Sequence, residues 1–181
     1  MPGLLVWMKK ILIAALLVLW LSTLLVFIAC SSSETTPPGE GFAIYLTKDD
    51  IPVSQMPVLS HFELAAEPVI SIDDVFSYYG ETHEIELTPE AYERVMGLQV
   101  PTSGKSFVVC VAKQPVYWGA FWTLISSQSY DGVGIWVPAF FQQENTIQIT
   151  IGYPSPSFFQ GEDPRSNPVI MEALEQAGKL K

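Results

Sequence analysis

The chain has 181 residues, a formal net charge of −10 and only 15% charged residues. An acidic chain without clustered lysine and arginine side chains is a poor partner for a phosphate backbone, so we expect no nucleic acid binding. Two cysteines are too few for a disulfide-stapled scaffold.

The first segment has the pattern of an export signal. Lys9 and Lys10 precede an apolar run over residues 11–29, and Cys30 follows directly. The basic residues stay on the cytoplasmic side while the apolar run enters the bilayer. We therefore predict a signal peptide over residues 1–29 and an extracytoplasmic location for the rest of the chain.

The end of that run, "FIAC", resembles the lipobox of bacterial lipoproteins. In that family the cysteine is diacylated and becomes the N-terminus after cleavage, which implies lipid attachment at Cys30 and anchoring to the cell membrane. The residues that follow, up to position 41, are small, polar and rich in proline and glycine, a composition typical of a flexible tether. The alternative is a leader retained as a membrane helix, because a run of this length can also cross a bilayer.

Residues 42–181 have the size of one globular domain. Alternating apolar residues in "GFAIYL" predict a first strand, and "HFELAAE" predicts a second, short one. The segment "SIDDVFSYYG" predicts a helical turn that is capped by Ser71 and ends near Gly80, before a strand around Ile85.

Two helices have clear start signals. The first begins with Thr88 as N-cap and Pro89 at the first helical position, in the sequence "TPEAYERVMGL". The second begins with Asn167, followed by a proline, and ends at Gly178.

Four more strands are predicted between these helices. "SFVVCVA" and "VYWGAFWTLIS" form a hairpin joined by residues 113–115. "YDGVGIWV" is a further strand, with Asp131-Gly132 as a turn pair at its beginning. "NTIQITIG" is another strand, in which isoleucines alternate with polar residues. The fold class is therefore α+β: a single domain with an antiparallel or mixed sheet and two to three helices packed on one side.

The order of these elements over residues 85–135 looks like the periplasmic head domain of the bacterial translocase component SecD. In that family a strand ending in Leu-Thr leads into an amphipathic helix, a Gly-Lys turn and a strand hairpin, as "IELTPEAYERVMGL…GKSFVVCVA" does here. The resemblance implies a related subdomain fold and favours binding over chemistry, because that head domain has no catalytic residue to carry over.

Aromatic residues are the most informative feature of the domain. Alternate residues of a strand face opposite sides, so "VYWGAFW" places rings on both faces. If helices cover only one face, the other exposes rings and marks a contact surface. The candidate surface residues are Tyr117, Trp118, Phe121, Trp122, Tyr130 and Trp136. A strand buried on both sides is the competing interpretation.

These features favour a membrane-tethered accessory domain that binds an envelope protein or a small ligand. The alternative is an envelope hydrolase in which His83 works with an acidic partner such as Asp74. No histidine, cysteine or carboxylate cluster has the spacing of a metal site, so we expect neither a metal nor a cofactor. We expect Cys110, in an apolar strand, to be a buried, unreactive thiol.

A calcium site is a weaker alternative for the loop "GEDPRSNP". Glu162, Asp163 and Asn167 offer oxygen ligands there, although their spacing matches no known loop motif.

Overall fold

The computed structural model describes residues 41–58, 61–138 and 143–181. The predicted signal peptide, Cys30 and the tether up to residue 40 lie outside the described residues, so these assignments stay predictions.

The described residues contain seven strands and two α-helices. In chain order the strands are β1 (Phe42–Leu46), β2 (Val75–Tyr79), β3 (Glu84–Leu87), β4 (Lys105–Val111), β5 (Gln114–Trp122), β6 (Tyr130–Trp136) and β7 (Thr146–Tyr153). The helices are α1 (Pro89–Met96) and α2 (Pro168–Gln176), and short 3-10 helices occupy Val53–Val58, Ile72–Asp74 and Pro156–Phe158.

The strands form one mixed sheet in the order β1-β4-β5-β6-β7-β3-β2. The neighbouring pairs are antiparallel except β5 and β6, which run parallel. A parallel pair needs a connection that returns along the strands. Because Trp122 is paired with Trp136, residues 123–129 must travel back about 20 Å to reach the start of β6. This crossover loop, residues 123–129, begins with a turn in which the Ser126 N–H donates to the Thr123 carbonyl oxygen at 3.1 Å.

Both helices pack on the same face of the sheet. Ala91 and Val95 of α1 and Ile170 and Leu174 of α2 are buried in the main apolar core. The strands contribute to that core the fully buried side chains of Phe42, Ile44, Phe107, Val109, Phe121, Ile147 and Ile149. The predicted α+β domain with helices on one side is confirmed.

The helix caps are where the sequence predicts them. The Thr88 hydroxyl accepts a hydrogen bond from the Ala91 N–H at 3.3 Å. The Asn167 side chain accepts one from the Val169 N–H at 3.0 Å. Each bond satisfies a backbone donor that the first helical turn leaves without a partner.

The opposite face of the sheet is covered by irregular chain and by aromatic side chains. Ala43, Tyr45, Val108 and Cys110 are buried there beneath Met56. A second cluster on this face contains Val53, Ala120, Trp122, Tyr130 and Tyr153. Each cluster is smaller than the core under the helices, so this face is only partly closed.

Four details of the predicted secondary structure need correction. The segment "HFELAAE" is not a strand and forms only an isolated bridge between Leu64 and Thr47. Only Ile72–Asp74 is helical in the segment after Ser71, and Val75–Tyr79 is strand β2, because its residues pair with β3. The β4–β5 turn is formed by Ala112 and Lys113, both with positive φ, one position earlier than expected. Asp131 and Gly132 lie within β6, at an irregularity in its pairing with β7, and do not form a turn.

In the part of the chain that the structure describes, no helix is long and apolar enough to span a membrane.

Candidate functional site

The six aromatic residues predicted as a surface divide between the two faces of the sheet. Tyr117 and Phe121 face the helices, and Phe121 is fully buried with its ring 5.0 Å from that of Phe107. The prediction of one shared surface is therefore corrected for these two residues. The alternation of side chains along β5 accounts for this division.

Three of the predicted rings form a continuous group on the other face. Trp118 and Trp122 lie on this side of β5, and Tyr130 of β6 packs against both. The Tyr130 ring centroid is 6.2 Å from that of Trp118 and 5.3 Å from that of Trp122. Trp122 is 3% exposed and Tyr130 is 8% exposed, whereas Trp118 is half-buried. Trp118 therefore offers the most accessible ring of the three.

Tyr153 of β7 also belongs to this group. Simple alternation along β7 would place its side chain on the helix side, together with Ile147 and Ile149. Its ring stacks on Trp122 at 5.4 Å and lies 4.7 Å from Trp136. Gly152 just before it has a φ of +67°, a left-handed conformation that reverses the alternation. A glycine inside a strand is the signal that could have indicated this irregularity.

A cleft of about 370 Å³ opens above these rings. Its floor is formed by Trp118, Trp122 and Tyr130. Its rim is formed by Pro52, Val53, Ser54, Ser103, Gln128, Ser129 and Asp131. We call this the aromatic cleft, and its volume is within the range of small-molecule sites.

The crossover loop positions one wall of the aromatic cleft. The Tyr153 hydroxyl donates to the Ser126 carbonyl oxygen at 2.7 Å, and the Ser126 hydroxyl donates to the Thr102 carbonyl oxygen at 2.6 Å. These bonds fix the middle of the crossover loop. Gln128 and Ser129, the next residues along the loop, line the cleft wall. The wall is therefore held from β7 and from the turn before β4.

The rim of the aromatic cleft is polar. Ser54, Ser103, Gln128, Ser129 and Asp131 are all exposed. Within the described residues, none of these five side chains is hydrogen-bonded to another residue. Of the lining residues that the structure describes, Asp131 alone is charged, so they offer a negative charge and neutral hydrogen-bonding groups.

Two polar atoms of the floor are buried without a partner among the described residues: the Trp122 Nε1 and the Tyr130 hydroxyl. Burial, with a smaller contribution from Asp131, raises the pKa of Tyr130, so its hydroxyl keeps its proton. Buried donors of this kind are uncommon in folded proteins.

His83 lies far from Asp74, the acidic partner named for the hydrolase alternative. It is 6% exposed, and its Nδ1 lies 3.0 Å from the Tyr78 hydroxyl. Asp74 is beyond the other end of the β2–β3 hairpin, about 15 Å away, where it accepts hydrogen bonds from Ser71 and pairs with Arg94 at 2.7 Å. The structure therefore separates the two residues.

The loop considered for calcium is occupied by internal contacts. The Arg165 guanidinium binds the Asp163 carboxylate at 2.7 Å and donates to the Ile149 carbonyl oxygen at 2.8 Å. Asn167 is the N-cap of α2. The described residues contain no group of three or more His, Cys, Asp or Glu side chains that could hold a metal ion.

Cys110 lies in β4 and is completely buried. Burial raises the pKa of its thiol to about 12, so the reactive thiolate is not populated near neutral pH. This agrees with an unreactive, packing role.

Comparison with protein-family models, curated proteins and solved structures gave no match. The resemblance of residues 85–135 to the SecD head domain therefore stays a prediction.

Proposed function

We propose that this protein is a membrane-tethered, extracytoplasmic binding domain that holds its ligand in the aromatic cleft. The observation on which this depends is that Trp118, Trp122 and Tyr130 meet in one cleft whose exposed rim has hydrogen-bonding groups free for a ligand. Aromatic rings with a few polar groups around them are typical of binding pockets.

The position of the rings on the sheet supports this function. Trp118 and Trp122 belong to β5, a central strand hydrogen-bonded on both sides. Residues on a rigid element hold their geometry without a ligand, so less conformational entropy is lost on binding.

The second part of the proposal is the lipid anchor predicted at Cys30, which keeps the binding domain at the membrane. An anchor confines the domain to the outer face of the membrane, and the tether sets its effective concentration there. In this proposal the protein acts by holding a ligand in the aromatic cleft close to the membrane surface.

Site-specific photocrosslinking in the native membrane tests the proposal. A photoreactive amino acid at Gln128, on the rim of the aromatic cleft, should capture a specific molecule. The same group at Glu175, an exposed residue of α2 on the helix side, should not. Trp118→Ala should abolish the capture at Gln128, because it removes the most accessible ring.

Two results contradict separate parts of the proposal. Equal capture from both positions, or capture that Trp118→Ala leaves unchanged, rules out the aromatic cleft as the binding site. Mass spectrometry of the N-terminal peptide tests the anchor: an acylated Cys30 at the N-terminus supports it, and an intact leader contradicts it.

A further inference from the structure

We infer that the ligand of the aromatic cleft is a neutral saccharide. This inference rests on the proposed function and specifies its ligand class. It follows from the shape of the floor, the chemistry of the rim, the charge and the volume of the cleft.

The exposed ring of the floor suits a flat, weakly apolar ligand surface. The Tyr130 ring contacts both tryptophans, with its centroid 6.2 Å from that of Trp118 and 5.3 Å from that of Trp122, and it is tilted by 50° and 44° to them. The three rings are therefore continuous but not coplanar, so stacking is confined to one ring. The C–H face of a pyranose ring is flat and carries a slight positive charge, which the negative face of an indole ring attracts. Trp118 is the ring on which a sugar would stack, since the other two are less than one-tenth exposed.

The rim suits a ligand with many hydroxyl groups. Each sugar hydroxyl is both a donor and an acceptor. The hydroxyls of Ser54, Ser103 and Ser129 can donate and accept, the Gln128 amide can do both, and the Asp131 carboxylate accepts. Because no described residue uses these side chains, a ligand does not have to break internal hydrogen bonds to reach them.

The charge distribution argues against an anionic ligand. Among the described residues, no lysine, arginine or histidine lines the aromatic cleft, and Asp131 adds a negative charge to a chain of net charge −10. A phosphate or carboxylate group would lose its hydration here without gaining a cation.

An ammonium ligand fits less well than a saccharide. An aromatic cage needs rings that stand apart, so that a cation fits between them and lies within about 6 Å of each centroid. Here Trp122 and Tyr130 are 3% and 8% exposed and Tyr130 packs against both tryptophans, so only the Trp118 ring is open to a ligand. One open ring can stack on a sugar but cannot enclose a cation.

The volume of about 370 Å³ is at the lower end of the range for ligand sites, enough for a monosaccharide or a disaccharide. We therefore expect recognition of one or two sugar rings, such as the end of a longer glycan.

Titration calorimetry with the purified full-length chain tests this inference. The probes are maltose, cellobiose and N,N′-diacetylchitobiose, in a polyoxyethylene detergent so that no sugar head group competes. We expect saturable binding of at least one probe, and a loss of affinity of about tenfold or more in Trp118→Ala, because the stacking ring is removed.

Matched variants separate a binding effect from a folding effect. Trp136→Ala removes a half-buried tryptophan from the same face that does not line the aromatic cleft, so binding should persist. Asp131→Ala and Gln128→Ala change exposed rim residues and should each weaken binding while the thermal unfolding temperature stays unchanged.

Two outcomes overturn the saccharide inference. One is no binding of any of the three neutral probes by the folded chain. The other is binding that Trp118→Ala, Asp131→Ala and Gln128→Ala leave intact. If tetramethylammonium chloride binds in a Trp118-dependent manner and the sugars do not, the ligand class is wrong but the proposed binding function stands. The crosslinking comparison of Gln128 with Glu175, and with Trp118→Ala, tests that function independently of the sugars.

Discussion

His83 shows how one buried side chain ties stability to pH. Its backbone has a φ of 55°, and its ring contacts Tyr78 inside the fold. Burial lowers the pKa of His83, the positive charge of Arg165 lowers it further, and Asp163 acts in the opposite direction. The folded state therefore favours the neutral imidazole.

This lowered pKa predicts a loss of stability in mild acid. Between the ordinary histidine pKa of about 6.5 and the lower folded value, the unfolded chain binds the proton that the folded chain excludes. The free energy of unfolding is therefore highest above about pH 6.5 and falls as the pH drops through the folded pKa.

His83→Asn tests that prediction, because asparagine tolerates positive φ and does not titrate. Denaturant unfolding at about pH 7 and about pH 5 should show a smaller change in free energy for this variant than for the wild type. The wild-type chain measured under the same conditions is the reference. Equal pH dependence of the variant and the wild type would contradict the assignment.

The contact between the parallel strands β5 and β6 depends on a glycine. A Cβ atom at Gly119 would lie within van der Waals overlap of the Phe107 ring and 2.5 Å from the Val133 carbonyl oxygen. This close approach lets β5, the strand on which the aromatic cleft is built, fit between Phe107 of β4 and Val133 of β6.

We expect Gly119→Ala to destabilise the domain by about 1–3 kcal/mol, because the added methyl group overpacks the core. Gly80→Ala is the matched control, since its nearest neighbour would be a Leu180 methyl at 3.4 Å, an ordinary contact. Urea unfolding of both variants gives the comparison. Equal stability of the two variants would mean that the sheet accommodates a methyl group at Gly119 without overpacking the core.

At the scale of the whole molecule, both edges of the sheet are covered. The edge strand β1 is hydrogen-bonded by the chain around Leu64 and Ile70, with Ile44 N–H donating to Ile70 at 2.7 Å. The edge strand β2 is bonded by Lys179–Lys181, which run parallel to it. Covered edges do not offer free backbone groups for pairing with another chain.

A chain that ends at Gly178 should therefore be less stable and prone to associate. It loses the three backbone hydrogen bonds that hold β2 and Gly80: Tyr78 N–H to Lys179 at 2.8 Å, Lys181 N–H to Tyr78 at 2.8 Å and Gly80 N–H to Lys181 at 3.1 Å. At about 1 kcal/mol each, with the apolar contact of Leu180 in addition, we expect a loss of about 2–4 kcal/mol.

Chemical denaturation and sedimentation velocity measure the two effects of this truncation. Leu180→Ala keeps the backbone bonds, so it should be destabilised less and should keep the oligomeric state of the wild type. An unchanged denaturation midpoint in the truncated chain would show that these residues do not stabilise β2.

Local signals in the sequence determined the α+β class, both helices and their caps at Thr88 and Asn167, because capping and periodicity depend on neighbours a few residues apart. The apolar leader and its cysteine likewise predict export and anchoring from composition alone. Alternation along β5 also divided the aromatic rings correctly between two faces.

Only the tertiary structure decided where those rings meet. Strand β2 exists because β3 pairs with it, and Tyr153 joins the aromatic group because Gly152 reverses its side of β7. The aromatic cleft itself arises because parallel pairing of β5 and β6 forces the crossover loop back over the sheet. Strand pairing is a contact between distant parts of the chain, whose partners local patterns do not specify.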